Sequence, residues 1–267
     1  MTPGFPSAAL GPSPKSKTLL DTLRHALAFE RMTARLQLRL AGNSERELPL
    51  EMARAADVTA ATPWRTFRSH RTQRHYSGWY WSSTTGDHVI YESRLELARL
   101  LLADADPDIV CIAAQPFLLI EGAGTKPRRH VPDFFFQHCD GHCTVVNVKP
   151  ADKLDEPKVA ATLAWAGEVI TAKGWRAEVW TGCHPLLLAN IRFLAGYRRG
   201  WLFDPAAVQA AEAAIIDGDT IGRVEGRLRS SGVAEPRPIV LHLLWAGRAC
   251  ADLSKPLGAD TAITVAA

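Results

Sequence analysis

The 267-residue chain has no run of eighteen apolar residues, and its first seventeen, MTPGFPSAALGPSPKSK, hold no long apolar stretch. The first absence excludes a helix that crosses a bilayer and the second a secretory signal, so a cytoplasmic protein with no membrane contact is expected. An even, closely spaced cysteine set is also missing. Cys111, Cys139, Cys143, Cys183 and Cys250 are five and scattered, which suits reduced thiols better than a disulfide framework. There is no internal repeat. Acidic residues are absent between Asp57 and Asp87, although the chain as a whole is only mildly basic, with net charge +3. In that gap Arg65, Arg68, Arg71 and Arg74 recur among Trp64, Phe67, His70, His75, Tyr76, Trp79, Tyr80 and Trp81. Arginines interleaved with aromatics suit phosphate contact and base stacking, and equally a solvated basic segment beside core aromatics.

What is present is a hydrophobic fraction of 47%, enough for a sizeable core in a chain this long. Residues 1–16, rich in Pro, Ser and Gly, read as a mobile arm, and residues 17–42 carry Leu, Ala and Arg at helical spacing until GNSERELP breaks the pattern. HVIYESRLELARLLLADADP puts Tyr91, Leu95, Ala98 and Leu102 on one helical face, with Glu92, Glu96 and Arg99 on another. IVCIAAQPFLLIEG is extended and broken at Gln115-Pro116. RHVPDFFFQH and HCTVVNVKP are two apolar strands around a CDG turn. ADKLDEPKVAATLAWAGEVITAKG reads as a helix closed by Gly174, WRAEVWTG as a strand, with Trp165, Trp175 and Trp180 in the core. The order predicts an α/β fold with a mixed central sheet flanked by helices. After GWLFDP the texture changes to three short helical patterns, a small module of winged-helix type that would bind DNA or protein. The expected divisions are residues 1–60, 61–200 and 201–267.

Chemistry concentrates in VPDFFFQHCDGHCTVVNVKP. Phosphodiester hydrolysis needs a nucleophilic water, charge stabilisation and a hard cation held by oxygen ligands. Asn147 and Lys149, two apart on a strand, share a face, whereas Val148 points the other way. A hairpin would bring Asp133 near Asn147, and Glu92 would approach from its helix. These acids, the Asn147 oxygen and the backbone oxygen of Val148 would then bind the cation, with Lys149 beside the scissile phosphate.

These residues carry a resemblance. PDF, the fourteen-residue step from Asp133 to Asn147, and NVK resemble the PD-(D/E)xK motif of restriction-endonuclease-like nucleases, with Asn147 where an acid is usual. YESRLELARLLL before them is similar to the TnsA endonuclease subunits of heteromeric transposases, a branch that itself carries an amide, Gln, at this position. The resemblance covers roughly Trp64 to Gly182. It implies a restriction-endonuclease-like core and Mg2+ or Mn2+ at Glu92, Asp133, Asn147 and Val148, with Lys149 as the charge-stabilising lysine. It also implies nicking of the non-transferred strands at transposon-end DNA, beside a DDE-type TnsB-like recombinase and a TnsC-like ATPase. A stand-alone repair or defence nuclease and a catalytically silent DNA-binding subunit are the alternatives, the latter on account of Asn147.

Other features weigh less. His138, Cys139, His142 and Cys143 crowd one turn without the separated pairs of a zinc site, and read as a hairpin tip. Glu96 and Arg99 would orient the site or pair with each other. Lys153 and Lys158 flank the next helix, placed for DNA backbone or for solvent, and Arg223, Arg227 and Arg229 rank below Arg65 to Arg74 as phosphate contacts.

Overall fold

Three consecutive phenylalanines, Phe134, Phe135 and Phe136, are completely buried, which a strand permits only when both its faces meet a core. Phe134 and Phe136 enter one core and Phe135 the other, so the strand that carries them lies in a middle layer. The computed structural model describes residues 34–65, 76–122 and 126–266, and in them the chain is a mixed α/β protein. It runs through β1 (Arg35–Arg39), β2 (Glu45–Pro49), α1 (Ala55–Thr59), β3 (Gly78–Ser82), β4 (Asp87–Tyr91), α2 (Arg94–Asp104), β5 (Ile109–Ala114) and β6 (Leu118–Glu121). It continues as β7 (Arg128–His130), β8 (Phe134–His138), β9 (Cys143–Val148), α3 (Pro157–Ala172), β10 (Arg176–Trp180) and α4 (Pro185–Leu194). The middle sheet has the order β10-β9-β8-β5. Its β9–β10 pair is parallel, joined through α3, and its other pairs are antiparallel. A second, antiparallel sheet has the order β2-β1-β6-β7, and β3 and β4 make a separate ribbon.

Two expectations change here. The helix expected over 17–42 is a strand from Arg35 on, and β2 follows where a pattern break was expected; residues 17–33 lie outside the described residues. Leu36 and Leu38, both fully buried, alternate with Arg and Gln, and that two-residue period outweighs the helix propensity of Leu and Arg. The helix expected from His88 begins only at Arg94. His88 to Tyr91 is paired in β4, and Ser93 is the N-cap of the helix, three residues before Glu96. The Ser93 hydroxyl accepts from the Glu96 N–H at 3.0 Å, and the Glu96 carboxylate accepts from the Glu92 N–H at 2.7 Å.

The β3–β4 ribbon is held to the end of α2 by one buried carboxylate. Asp104 accepts hydrogen bonds from the hydroxyls of Tyr80 and Ser82, each at 2.6 Å, and from the backbone N–H groups of Ser83 and Thr84. Tyr80 thereby turns inward, and its strand neighbours Trp79 and Trp81 face outward.

The C-terminal part contains the three expected helices, α5 (Pro205–Ala213), α6 (Ile221–Ser230) and α7 (Pro236–Trp245). It also contains a small sheet that was not expected, β11 (Asp219–Thr220), β12 (Ala249–Ala251) and β13 (Ala262–Val265), in the order β11-β13-β12. Every residue of α7 from Ile239 to Trp245 is buried. The boundary expected at 200/201 separates no cores: Val240, Leu241 and Leu243 pack in the same cluster as Ile112, Phe134, Phe136 and Val146. Nor are residues 35–60 an appendage, because Leu36, Leu38, Leu48 and Val58 form one core with Phe135 and Trp165. Among the described residues no helix is long and apolar enough to cross a membrane.

A chain ending at Gly200 would leave the apolar ends of α2 and α4 without their covering. It is expected to lose the sharp unfolding transition of the full chain in calorimetry; an unchanged transition would mean that the cores are separate.

Candidate active site

The site grows from one turn. Gln115 ends β5 with φ +46, a left-handed conformation that costs a non-glycine residue about 1 kcal/mol or more, and Pro116 then starts the chain toward β6 in the other sheet. Four hydrogen bonds offset that strain. The Gln115 backbone donates to the Asp133 carbonyl at 2.9 Å and accepts from the Trp64 N–H at 2.9 Å. Its side-chain oxygen accepts from the Arg65 N–H at 2.9 Å, and its side-chain amide donates to Glu92 Oε1 at 2.7 Å. One residue thus ties together the segments that contain Asp133, Arg65 and Glu92.

Asp133 sits just before β8, whose register sets Phe134 opposite Val146. Its Oδ2 accepts from the Val148 N–H at 2.6 Å and lies 3.5 Å from the Lys149 ammonium, which also donates to the Val148 carbonyl at 3.1 Å. Among the described residues no donor reaches Asp133 Oδ1. As the alternation predicts, Val148 turns its side chain into the core of Phe134 and Phe136, while Val145, two residues before Asn147, packs with Phe135. Arg65, Glu92, Glu96, His130, Asp133 and Lys149 line one cleft of about 330 Å³, closed on its far side by Lys158, Val159, Thr162 and Leu163 of α3.

Asn147 is not on that cleft. It is 4% exposed, and its Oδ1 accepts from His130 Nε2, so the imidazole, not the amide, meets the opening. Burial pushes the His130 pKa down, against the opposing influence of Asn147 and Asp133, which favours a neutral ring donating through Nε2. Glu92 is not on a helix as expected but in the two-residue junction between β4 and α2. Glu96, one turn into α2, is the helical acid of the cleft, and burial pushes its carboxyl up to about 7. The charges of Asp133 and Glu92 push the same way, and the bonds from the Glu92 N–H and Ser93 hydroxyl push back.

Arg65 is on the cleft, its guanidinium 3.7 Å from Glu92 Oε2; Arg68, Arg71 and Arg74 lie outside the described residues. Lys153 instead pairs with Glu156 at 2.7 Å and is off the cleft, while Lys158 is on it. Arg99 does not pair with Glu96. It makes a two-point bond to Glu178 of β10, with 2.9 Å in each contact, and stacks on Phe136. Of the C-terminal arginines, Arg227 pairs with Asp219 and Arg229 with Glu225, while Arg223 is exposed. At the hairpin tip the rings of His138 and His142 stack, with centroids 3.7 Å apart. Among the described residues no three His, Cys, Asp or Glu side chains converge to hold a metal ion, at that tip or in the cleft.

Sequence reasoning missed Gln115 and His130 as parts of the site and gave Glu96 too small a part. The signals were a Gln-Pro step between two apolar runs, a His three residues before Asp133, and the S-x-x-E spacing of a capping box.

Glu96 gives the fold a pH dependence. Below its ordinary value near 4.5 the carboxyl is protonated in both folded and unfolded chains. As pH rises from there to about 7 only the unfolded chain releases the proton, so stability falls, and above that the deficit is constant. The expected deficit is about 3 kcal/mol. Glu96→Gln keeps the Ser93 cap and an acceptor for the Glu92 N–H and should remove this slope from urea unfolding measured in EDTA from pH 4 to 8; an unchanged slope would place its origin elsewhere. The chain matches no protein-family model and no curated protein.

Proposed function

We propose that the chain is the metal-dependent DNA endonuclease subunit of a TnsA-like heteromeric transposase, cutting the strands at transposon ends that its recombinase partner does not transfer. The observation that carries this reading is the meeting of Glu92, Asp133 and Lys149, from three separate segments, on one cleft. A restriction-endonuclease-like core agrees with the mixed sheet, in which β8 and β9 form a hairpin and α3 leads to the parallel β10. A winged-helix kinship of the C-terminal module agrees with its order of helix, strand, two helices and two strands. A recognition helix must offer a long polar face to a DNA groove, and α7 is buried from Ile239 to Trp245 with only Arg237 charged and open in its first turn, so the module acts as a brace or a protein contact.

The oxygen ligands that the cleft offers are the carboxylates of Glu92, Glu96 and Asp133, with Oδ1 of Asp133 free of donors among the described residues; the His130 Nε2 is turned to Asn147, and the Val148 carbonyl is off the lining and accepts from Lys149. Such a set suits Mg2+ or Mn2+, which bind through one or two carboxylates and keep several waters, so the lack of three converging ligands is no misfit. The cation would lower the pKa of a bound water and neutralise charge on the phosphate. Lys149, kept near Asp133 and the Val148 carbonyl, stabilises the negative charge that grows on the phosphoryl oxygens. Asn147 serves by fixing His130 rather than as a ligand. Arg65 and Lys158 hold the DNA backbone at the cleft mouth. The partners implied are transposon-end DNA, a DDE-type TnsB-like recombinase and a TnsC-like ATPase.

A catalytically silent DNA-binding subunit is favoured by one observation, the withdrawal of Asn147 from the cleft. Reconstitution with a DDE-type recombinase of the kind proposed separates the readings. Mg2+-dependent nicking of end DNA is expected, falling about 100-fold or more in Asp133→Ala and in Lys149→Ala with DNA binding kept. Nicking that survives both changes would sink the site, and binding without nicking under every metal and partner condition would support the silent subunit. Gln115→Asn tests the clasp. Asn tolerates positive φ but is one methylene too short for Glu92, so nicking should fall about tenfold or more, with a loss of about 1–2 kcal/mol in unfolding free energy that leaves the chain folded.

A further inference from the structure

We propose that the outward face of the β3–β4 ribbon is a stacking platform for unpaired nucleotides on the strand that leaves the cleft; the proposal rests on the endonuclease reading. Tryptophan is seldom left in water, yet Trp79 is 68% exposed and Trp201 62%, with Leu202 exposed beside it. Trp81, half-buried, meets Trp201 edge-on at 4.4 Å, and Trp79 meets His88 edge-on at 6.5 Å. The ribbon is already rigid, because its inward face is gripped by Asp104 and the Trp81 carbonyl accepts from Arg198 at 2.9 Å. A ligand arriving at these rings therefore has little to organise.

Spacing and charge choose the ligand. Trp79 and Trp81 lie two residues apart on one face, about 6.8 Å along the strand, which is the room one base needs between two rings at roughly 3.4 Å from each. Arg199, exposed, precedes Trp201 by two residues, and His88 stands across from Trp81. The ribbon's one acid, Asp87, is at the turn end, away from the cleft. In the sequence, residues 58–86 carry four arginines and no acid, a charge pattern that attracts a polyanion and not an acid-poor apolar protein surface. Position supplies the geometry. Trp79 pairs with Ile90, two residues before Glu92, so β4 leads from the platform to the cleft.

The test uses the full chain in EDTA at fixed salt, with a labelled twelve-nucleotide dT single strand and a duplex of equal length as probes for fluorescence anisotropy. Trp79→Ala is expected to weaken the single strand about 5- to 150-fold, the loss of one base stack, and the duplex less than about twofold. Trp79→Phe should restore most of the single-strand affinity, and because Trp79 is exposed neither change should shift thermal unfolding. Unchanged single-strand affinity in Trp79→Ala would overturn the platform and leave the face to a protein partner. Equal losses on both probes would overturn it as well, reducing the ribbon to general DNA attraction. Because the assay needs no cleavage, its failure differs from failure of the endonuclease reading. A wild-type chain that binds single strand through Trp79 but never nicks keeps the platform alone, and one that nicks while Trp79→Ala binds normally keeps the endonuclease alone.

Discussion

The Gln115 side-chain amide is the contact on which the site depends. It bonds Glu92 in the β4–α2 junction through its nitrogen and Arg65 through its oxygen, and its backbone bonds the residue beside β8 that carries the Asp133 carboxylate. Without it, three segments that are neighbours only because two sheets diverge at this point would have no common fastening. The left-handed turn at Gln115 is what makes the sheets diverge. It passes the chain from β5 in the middle sheet to β6 in the outer one over three residues, and the Gln115 side chain reaches Glu92, which lines the cleft.

Around that fastening, the buried three-phenylalanine strand divides the polar work by face. Residues facing the core of Phe135 and α3 lead to Asp133 and Lys149, and residues facing the other core anchor α2 and the C-terminal helices. The alternation of Val146, Asn147, Val148 and Lys149 therefore allots each residue its role before any contact is considered. It also explains how Val148 contributes through its backbone: its side chain is spent on the opposite core, which frees its N–H for Asp133 and its carbonyl for Lys149.

Much of this was legible in the chain. The hairpin from Phe134 to Val148, α3 closed at Gly174, and the opposite facing of Val148 and its neighbours follow from two-residue alternation, glycine punctuation and spacing, all local signals. Two kinds of fact were not legible. Short leucine-rich segments such as RLQLR satisfy helix propensity and strand alternation at once, and only pairing with β2 and β6 decides between them. The second kind is long-range: that His130 takes the Asn147 oxygen, that Arg99 chooses Glu178 over Glu96, and that Gln115 holds Glu92 depends on strand order, which no local pattern encodes. The withdrawal of Asn147 from the cleft belongs to this kind, and it leaves the amide as part of the site's frame.

Ser83 has a place in this frame that its modest chemistry conceals. Its hydroxyl takes the indole N–H of Trp245 from the last turn of α7 at 2.9 Å, and its own N–H is held by Asp104 at the end of α2. The ribbon that contains Ser83 runs directly into Glu92. Tension applied to the C-terminal helices by a bound protein would thus travel through two hydrogen bonds and one helix to the acid at the cleft, as along a short rod linking a handle to a blade.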